Sequence, residues 1–268
     1  MARVALGVAY SGSAFAGWQR QVATPNTLQE TLESGLSVIA NEPVRVHAAG
    51  RTDAGVHATG QVVHFDTQAE RPLRAWVDGT NTKLPRELRV LWATSVPNDF
   101  DARRSATARR YLYLYCDSTV RLPLLDQQVW WGRPLAAEAM HRAAQTLVGE
   151  HDFSTFRAAG CQSQTPMRHV HQISVVRHGR LVVLDITANA FLLHMVRNIA
   201  SGLRSVGLGQ APEASLAALL DARDRTQLGP TAPPAGLSLV DVIYPAALRQ
   251  PTGALPPALL TLPSLDQL

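Results

Sequence analysis

Apolar residues along the chain follow two periods, and the alternation between them marks out the elements. The run RVALGVAY (3–10) is nearly continuous in apolar and β-branched residues, which predicts a strand ending at the turn Ser11-Gly12-Ser13. Leu28, Leu32, Leu36 and Ile39 then recur at helical spacing behind Thr27 and Glu30, a capping box that starts a helix. VRVHAA (44–49), the loop GRTDAG (50–55) and QVVHFDT (61–67) predict a strand, a connection and a strand. LRVLWATSV (88–96) and RYLYLYC (110–116) read as two more strands by residue type. The second half repeats the grammar. A helix is predicted around 136–148, then strands 171–178 and 181–189 as a hairpin about Gly179. A helix over 190–206, a shorter one near 212–222 and a last strand at 238–244 follow.

Strands in this mixed order suggest antiparallel sheets covered by helices, an α+β layout rather than a doubly wound one. A length of 268 residues fits one large domain or two fused halves. No residue-level repeat supports the doubling, which rests on the pattern of elements. Neither G-x-G-x-x-G opening a helix nor G-K-[ST] occurs, so nucleotide-cofactor chemistry is not expected. Cys116 and Cys161 lie far apart with no C-x-x-C, which excludes a disulfide scaffold and a zinc ribbon and points to a reducing compartment. Nothing approaches 18 consecutive apolar residues, and the opening apolar stretch is too short for a signal peptide. A cytoplasmic protein without a membrane span is the expectation.

Charge sharpens the picture. The net charge is +4 with a pI near 9.5, which leans toward an acidic partner such as nucleic acid. Lys83 is the one lysine; every other basic residue is an arginine. Either a coding bias toward arginine codons or the fit of guanidinium forks to phosphates and bases gives this preference; bias does not decide placement, and Arg103, Arg104, Arg109 and Arg110 fall within one short stretch.

Four features could carry chemistry. The loop Gly50-Arg51-Thr52-Asp53-Ala54-Gly55 presents a carboxylate beside an arginine, with glycines permitting an unusual backbone path, a plausible catalytic arrangement; on spacing alone it reads as an ordinary Asp turn. His57 with His64, and His169 with His171, are two-histidine pairs that no carboxylate or thiol completes, so no metal site is expected. Tyr111, Tyr113 and Tyr115 alternate onto one face of their strand, either as half-buried aromatics or as a base-stacking platform flanked by arginines. Arg197 projects off the apolar stripe of its helix, as a solvated arginine or as the partner of a carboxylate in a cleft.

Taken in order, several blocks resemble one family. These are YSGSAFAGWQRQ (10–21), GRTDAGVHA (50–58), ARRYLYLY (108–115), HDFSTFRAAGCQSQTPMR (151–168), NAFLLHMVRNIASGL (189–203) and GLSLVDVIYP (236–245). Each is modest alone, whereas the ordered set from Val4 to about Pro245 is specific: it is similar to the bacterial tRNA pseudouridine synthase A family. Ser11 stands where that family usually carries an acidic residue, and Leu193 where a tyrosine is frequent.

The resemblance implies isomerisation of uridine to pseudouridine at positions 38, 39 and 40 of the tRNA anticodon stem-loop, with base flipping and no organic or metal cofactor. It implies Asp53 as the catalytic aspartate, Arg51 displacing the target base, and Tyr111 stacking on the flipped uracil and handling protons. Arg197 would pair with Asp53 across a central RNA-binding cleft, and Leu239 or its neighbour Leu237 would wall the base pocket. Arg109, Arg110 and Arg168 would bind the substrate. The implied fold is two ferredoxin-like (RRM-like) halves, their mixed antiparallel sheets side by side with helices on one face, and the implied active form is a homodimer. The halves are expected at 1–105 and 106–248, followed by a flexible tail at 249–268. A non-catalytic RNA-binding module would explain the charge and the tyrosines but leave Asp53 idle. A nucleoside or glycoside hydrolase would need a second carboxylate, and only Asp53 stands in a motif.

Overall fold

The computed structural model describes residues 1–21, 24, 26–248 and 251; the expected tail lies almost entirely outside them. In chain order the elements are β1 (Ala2–Tyr10), α1 (Leu28–Ala40), β2 (His47–Ala48), β3 (His57–Thr67), β4 (Leu88–Val96), β5 (Ala108–Asp117), β6 (Trp130–Gly132), α2 (Ala137–Ala144), β7 (Gly149–Asp152), β8 (Met167–His178), β9 (Leu181–Ala188), α3 (Met195–Gly207), α4 (Ser215–Ala222) and β10 (Leu237–Ile243). Every strand and helix expected from the pattern is present, and the class is α+β. The chain divides into two compact units, one of Met1–Arg109 with the segment that begins at Ser238, the other of Arg110–Leu237. The last strand thus leaves the C-terminal half in which the sequence placed it.

In the first unit the strand order is β4-β1-β3, with β2 and β10 both pairing β3. β1 runs antiparallel to β3 and to β4, so β3 lies between β1 and β2, the split β-α-β arrangement of a ferredoxin-like half. Half of the expected capping box forms: the Thr27 hydroxyl accepts from the Glu30 amide, while the Glu30 carboxylate faces Arg20 at 3.8 Å, and α1 buries Leu28, Leu32 and Leu36 completely. Each contributes about 1.5–3 kcal/mol of hydrophobic stabilisation.

The strand predicted at 44–49 shrinks to His47–Ala48 because α1 takes its backbone groups. The Val44 amide donates to Ser37 Oγ at 2.9 Å and the Val46 amide to buried Glu33 Oε1 at 3.1 Å. Those amides are therefore spent on helix side chains instead of a ladder.

The second unit orders its strands β5-β9-β8-β7, with β6 parallel to β5. β8 and β9 form the expected hairpin, and Gly179 takes the left-handed conformation (φ 56°) at its turn. α2 packs on β8 and on α3. The helix expected over 190–206 begins five residues late. The Asn189 side chain accepts from the Ala190 amide at 2.7 Å, and His194 sits left-handed at φ 61° as the residue before α3. Both divert the backbone before helical bonding starts.

One buried histidine ties β3 to the turn that precedes β5. His64 is 3% exposed, and its Nδ1 accepts from the Ala102 amide at 3.0 Å. Burial holds its ring below the ordinary value of 6.5; Arg3 and His47 act in the same sense, Asp101 and Asp66 against it. The folded protein therefore favours neutral His64, and its contribution is complete above the unfolded value and lost as pH falls through the folded one. Wild type should lose stability relative to His64→Gln as pH drops from about 7 to about 5 in urea titrations; parallel pH curves would contradict this.

Candidate active site

The Asp53 loop is built by two segments of its own unit. The Val56 amide donates to the Asp53 carbonyl at 3.1 Å, closing a turn in which Gly55 adopts φ 80°, a conformation that glycine supplies without strain. Against this turn lies the segment after β1. The Trp18 amide donates to the Thr52 carbonyl at 3.0 Å, and the Gly12 amide to His57 Nδ1 at 3.2 Å. A Cβ on Gly12 would stand 2.0 Å from the Val56 carbonyl oxygen, so only glycine fits there. The block at 10–21 and the block at 50–58 are thus two sides of one packed arrangement.

Beneath the loop runs a buried polar chain. Gln61, fully buried, donates from Nε2 to the Gly50 carbonyl at 2.6 Å and to the Tyr10 hydroxyl oxygen at 3.3 Å. Tyr10 in turn shares a hydrogen bond of 2.9 Å with Thr52 Oγ1. Burial pushes the Tyr10 phenol up to about 12, so the hydroxyl keeps its proton at working pH. Asp53 is half-exposed and Arg51 exposed at the rim of this arrangement. Ser11, at the departure from the family pattern, bonds Ser13 Oγ at 3.0 Å instead of reaching the loop.

Several candidates carry other roles than the sequence suggested. Arg109, expected at substrate, is 8% exposed, and its guanidinium donates to the carbonyls of Ala49 (3.1 Å) and Ala106 (3.2 Å) as well as to that of Arg103. It braces the backbone that enters the Asp53 loop. Arg168 is equally buried, donating to Ser163 Oγ and to the Thr165 and Met167 carbonyls. Arg110 chelates the Asp185 carboxylate at 2.9 and 2.6 Å. Burial therefore makes Arg109 and Arg168 part of the scaffold, whereas Arg110 stays exposed beside Asp185. Leu239 is fully buried and registers opposite Ala58, immediately after the loop; Leu237 is 6% exposed. Both are packing residues rather than an open wall.

The second unit holds the remaining candidates. Tyr113 and Tyr115 have no exposure and donate to the Pro233 and Ala200 carbonyls, so the three-tyrosine platform is not formed. Tyr111 keeps 8% exposure, its ring edge-on to Phe191 at 5.0 Å. Arg197 is half-buried in the first turn of α3 and donates from Nε to the Ala232 carbonyl at 2.8 Å, which removes the reading of a solvated arginine. Among the described residues no three His, Cys, Asp or Glu side chains gather as metal ligands, and no helix is long and apolar enough to cross a membrane.

Tyr10, Gln61 and the bracing by Arg109 escape a reading from sequence. Tyr10 and Gln61 sit in strand runs that look like core, and nothing in their spacing announces a polar chain. Arg109→Met should lower stability by about 1–3 kcal/mol, since buried carbonyls lose their donor. An unfolding midpoint equal to that of wild type would contradict the bracing role.

Comparison with known proteins supplies the family. The model of the tRNA pseudouridine synthase family matches residues 7–103 and 143–245. tRNA pseudouridine synthase A of Shewanella amazonensis is 54% identical, covering 95% of this chain and 98% of the relative. The enzyme of the same name from Pseudomonas aeruginosa is 51% identical, covering 97% and 92%. Among solved structures, an H/ACA RNP bound to a substrate RNA containing 2'-deoxyuridine overlaps 75% of this chain and 44% of its own with a TM-score of 0.35 and 12% identity, too distant to bear on function. The chain belongs to the tRNA pseudouridine synthase family, whose reaction is an isomerisation.

Proposed function

We propose that this enzyme converts uridine to pseudouridine at positions 38, 39 and 40 of the tRNA anticodon stem-loop, with Asp53 as the reacting carboxylate. The observation that carries the assignment is the placement of Asp53: a half-exposed carboxylate at the head of a turn whose backbone is fixed on both sides. Supporting it are the family match and the names of the relatives.

The reaction breaks the N1–C1′ bond, turns the uracil and joins C5 to C1′; C5 gives up its proton and N1 ends protonated. Product and substrate are isomers, so the balance calls for no second substrate. An ionised carboxylate serves either as the nucleophile at C1′ or as the base for a sugar proton. The target base leaves its stack first, at a cost of a few kcal/mol that contact with an aromatic ring partly offsets. Tyr111 takes that part, being the tyrosine of β5 that retains exposure. Exposed Arg51 assists displacement, and Arg197 serves as the cation that pairs with the carboxylate. The backbone grip falls to exposed Arg103 and Arg104 in place of buried Arg109. The working form is a pair of identical chains; a light-scattering mass of one 29.0 kDa chain at full activity would contradict that.

Asp53→Asn is nearly isosteric, so tRNA affinity should stay near wild type while single-turnover pseudouridine formation falls to background. Arg197→Met removes the cation while keeping much of the side-chain length, and single-turnover pseudouridine formation should slow by at least about tenfold. Substantial turnover by Asp53→Asn would remove the catalytic assignment. A wild-type rate in Arg197→Met would remove the role of Arg197.

A further inference from the structure

We propose that the buried Gln61–Tyr10–Thr52 chain of hydrogen bonds is a positioning device for Asp53, setting the rate of the chemical step rather than the affinity for RNA. The proposal deepens the reading of Asp53 as the reacting carboxylate and rests on it.

The chain has a direction. Gln61 Oε1 is taken by the Val62 amide at 3.2 Å and faces the Gly50 amide at 3.4 Å, which turns Nε2 toward the Gly50 carbonyl and the Tyr10 oxygen. Tyr10 accepts there, so its single proton is available for Thr52 Oγ1. One side chain from the middle of β3 and one from the end of β1 thereby hold two points of the loop, the backbone of Gly50 and the side chain of Thr52. Thr52 is the residue directly before Asp53, and its carbonyl is fixed from the opposite side by Trp18. Tyr10, Gln61 and Thr52 are 5%, 0% and 7% exposed, so water does not replace a missing partner.

Removing the Tyr10 hydroxyl strands an amide proton of Gln61 and the hydroxyl of Thr52 together. Buried polar groups without partners are costly, and the loop relieves the cost by shifting. A shift at Thr52 moves the neighbouring carboxylate, and misplacement near 1 Å is worth up to about 100-fold in rate. The isolated turn, by contrast, would survive: its closing bond and the Gly55 conformation are local.

The test compares Tyr10→Phe, Thr52→Val, the double variant, Thr52→Ser and Asp53→Asn in the full-length protein. Single-turnover pseudouridine formation is measured at saturating unmodified tRNA, and Kd by filter binding. Tyr10→Phe and Thr52→Val should each slow the step roughly 10- to 100-fold with Kd within about twofold of wild type. The double variant should be no slower than the worse single by more than about twofold, because both cut the same chain. Thr52→Ser keeps the hydroxyl and should retain most of the rate. If Tyr10→Phe fails to fold, Thr52→Val against Thr52→Ser decides. Rates near wild type in both single variants, with Asp53→Asn inactive, would overturn the positioning role and leave the catalytic reading standing. Loss of Kd with an intact rate would overturn it too. Turnover by Asp53→Asn would overturn both at once.

Discussion

The packing of the Gly12–Trp18 segment against the Gly50–Val56 loop is the constraint on which the rest of this molecule depends. Two backbone segments approach so closely that a Cβ on Gly12 has no room, and amides from one segment satisfy acceptors in the other. The strand pairing of β1 with β3 brings them together, since Tyr10 registers opposite Ala58 at the end of the ladder. Asp53 therefore inherits its position from a core element. A carboxylate on an unsupported surface loop would sample many orientations; here backbone geometry, a left-handed glycine and a buried polar chain restrict it.

The arginines show how little a net charge says about placement. Arg109 and Arg168 are buried and spend their donors on backbone carbonyls, which makes them part of the scaffold. Arg3, Arg110 and Arg142 each pair with a carboxylate. Arg51, Arg103 and Arg104 remain exposed, and the last two flank a turn whose amides are held by Asp101. A planar guanidinium with five donors can satisfy three carbonyls at once, which lysine cannot match in geometry. The arginine-rich composition is consistent with that structural use as well as with RNA contact.

Much of the fold was legible because its signals are local. The N-cap at Thr27, the Leu28-Leu32-Leu36 stripe and the turn at Gly179 each follow from a few neighbouring residues, and each appears where expected. What failed turns on side chains that capture backbone amides, which periodicity does not register. The strand at 44–49 lost its amides to Ser37 and Glu33, and the early part of the 190–206 helix lost its start to Asn189 and His194. Asp53 was visible only as one possible turn residue until the ordered motifs gave it a family. The alternating tyrosines satisfied the geometry of a platform, yet Tyr113 and Tyr115 are enclosed by their own unit. Periodicity reports which residues share a face; whether that face meets solvent is decided by what packs on it.

In the chemistry proposed for Asp53, a single held carboxylate isomerises uridine in tRNA without any added reactant. Incubating the purified protein with an unmodified tRNA transcript in buffer alone, then mapping pseudouridine and assaying free uracil, tests it most directly. Pseudouridine confined to positions 38, 39 and 40, with no released base, is the expected result. Free uracil, or RNA returned unchanged by a folded protein, would contradict it.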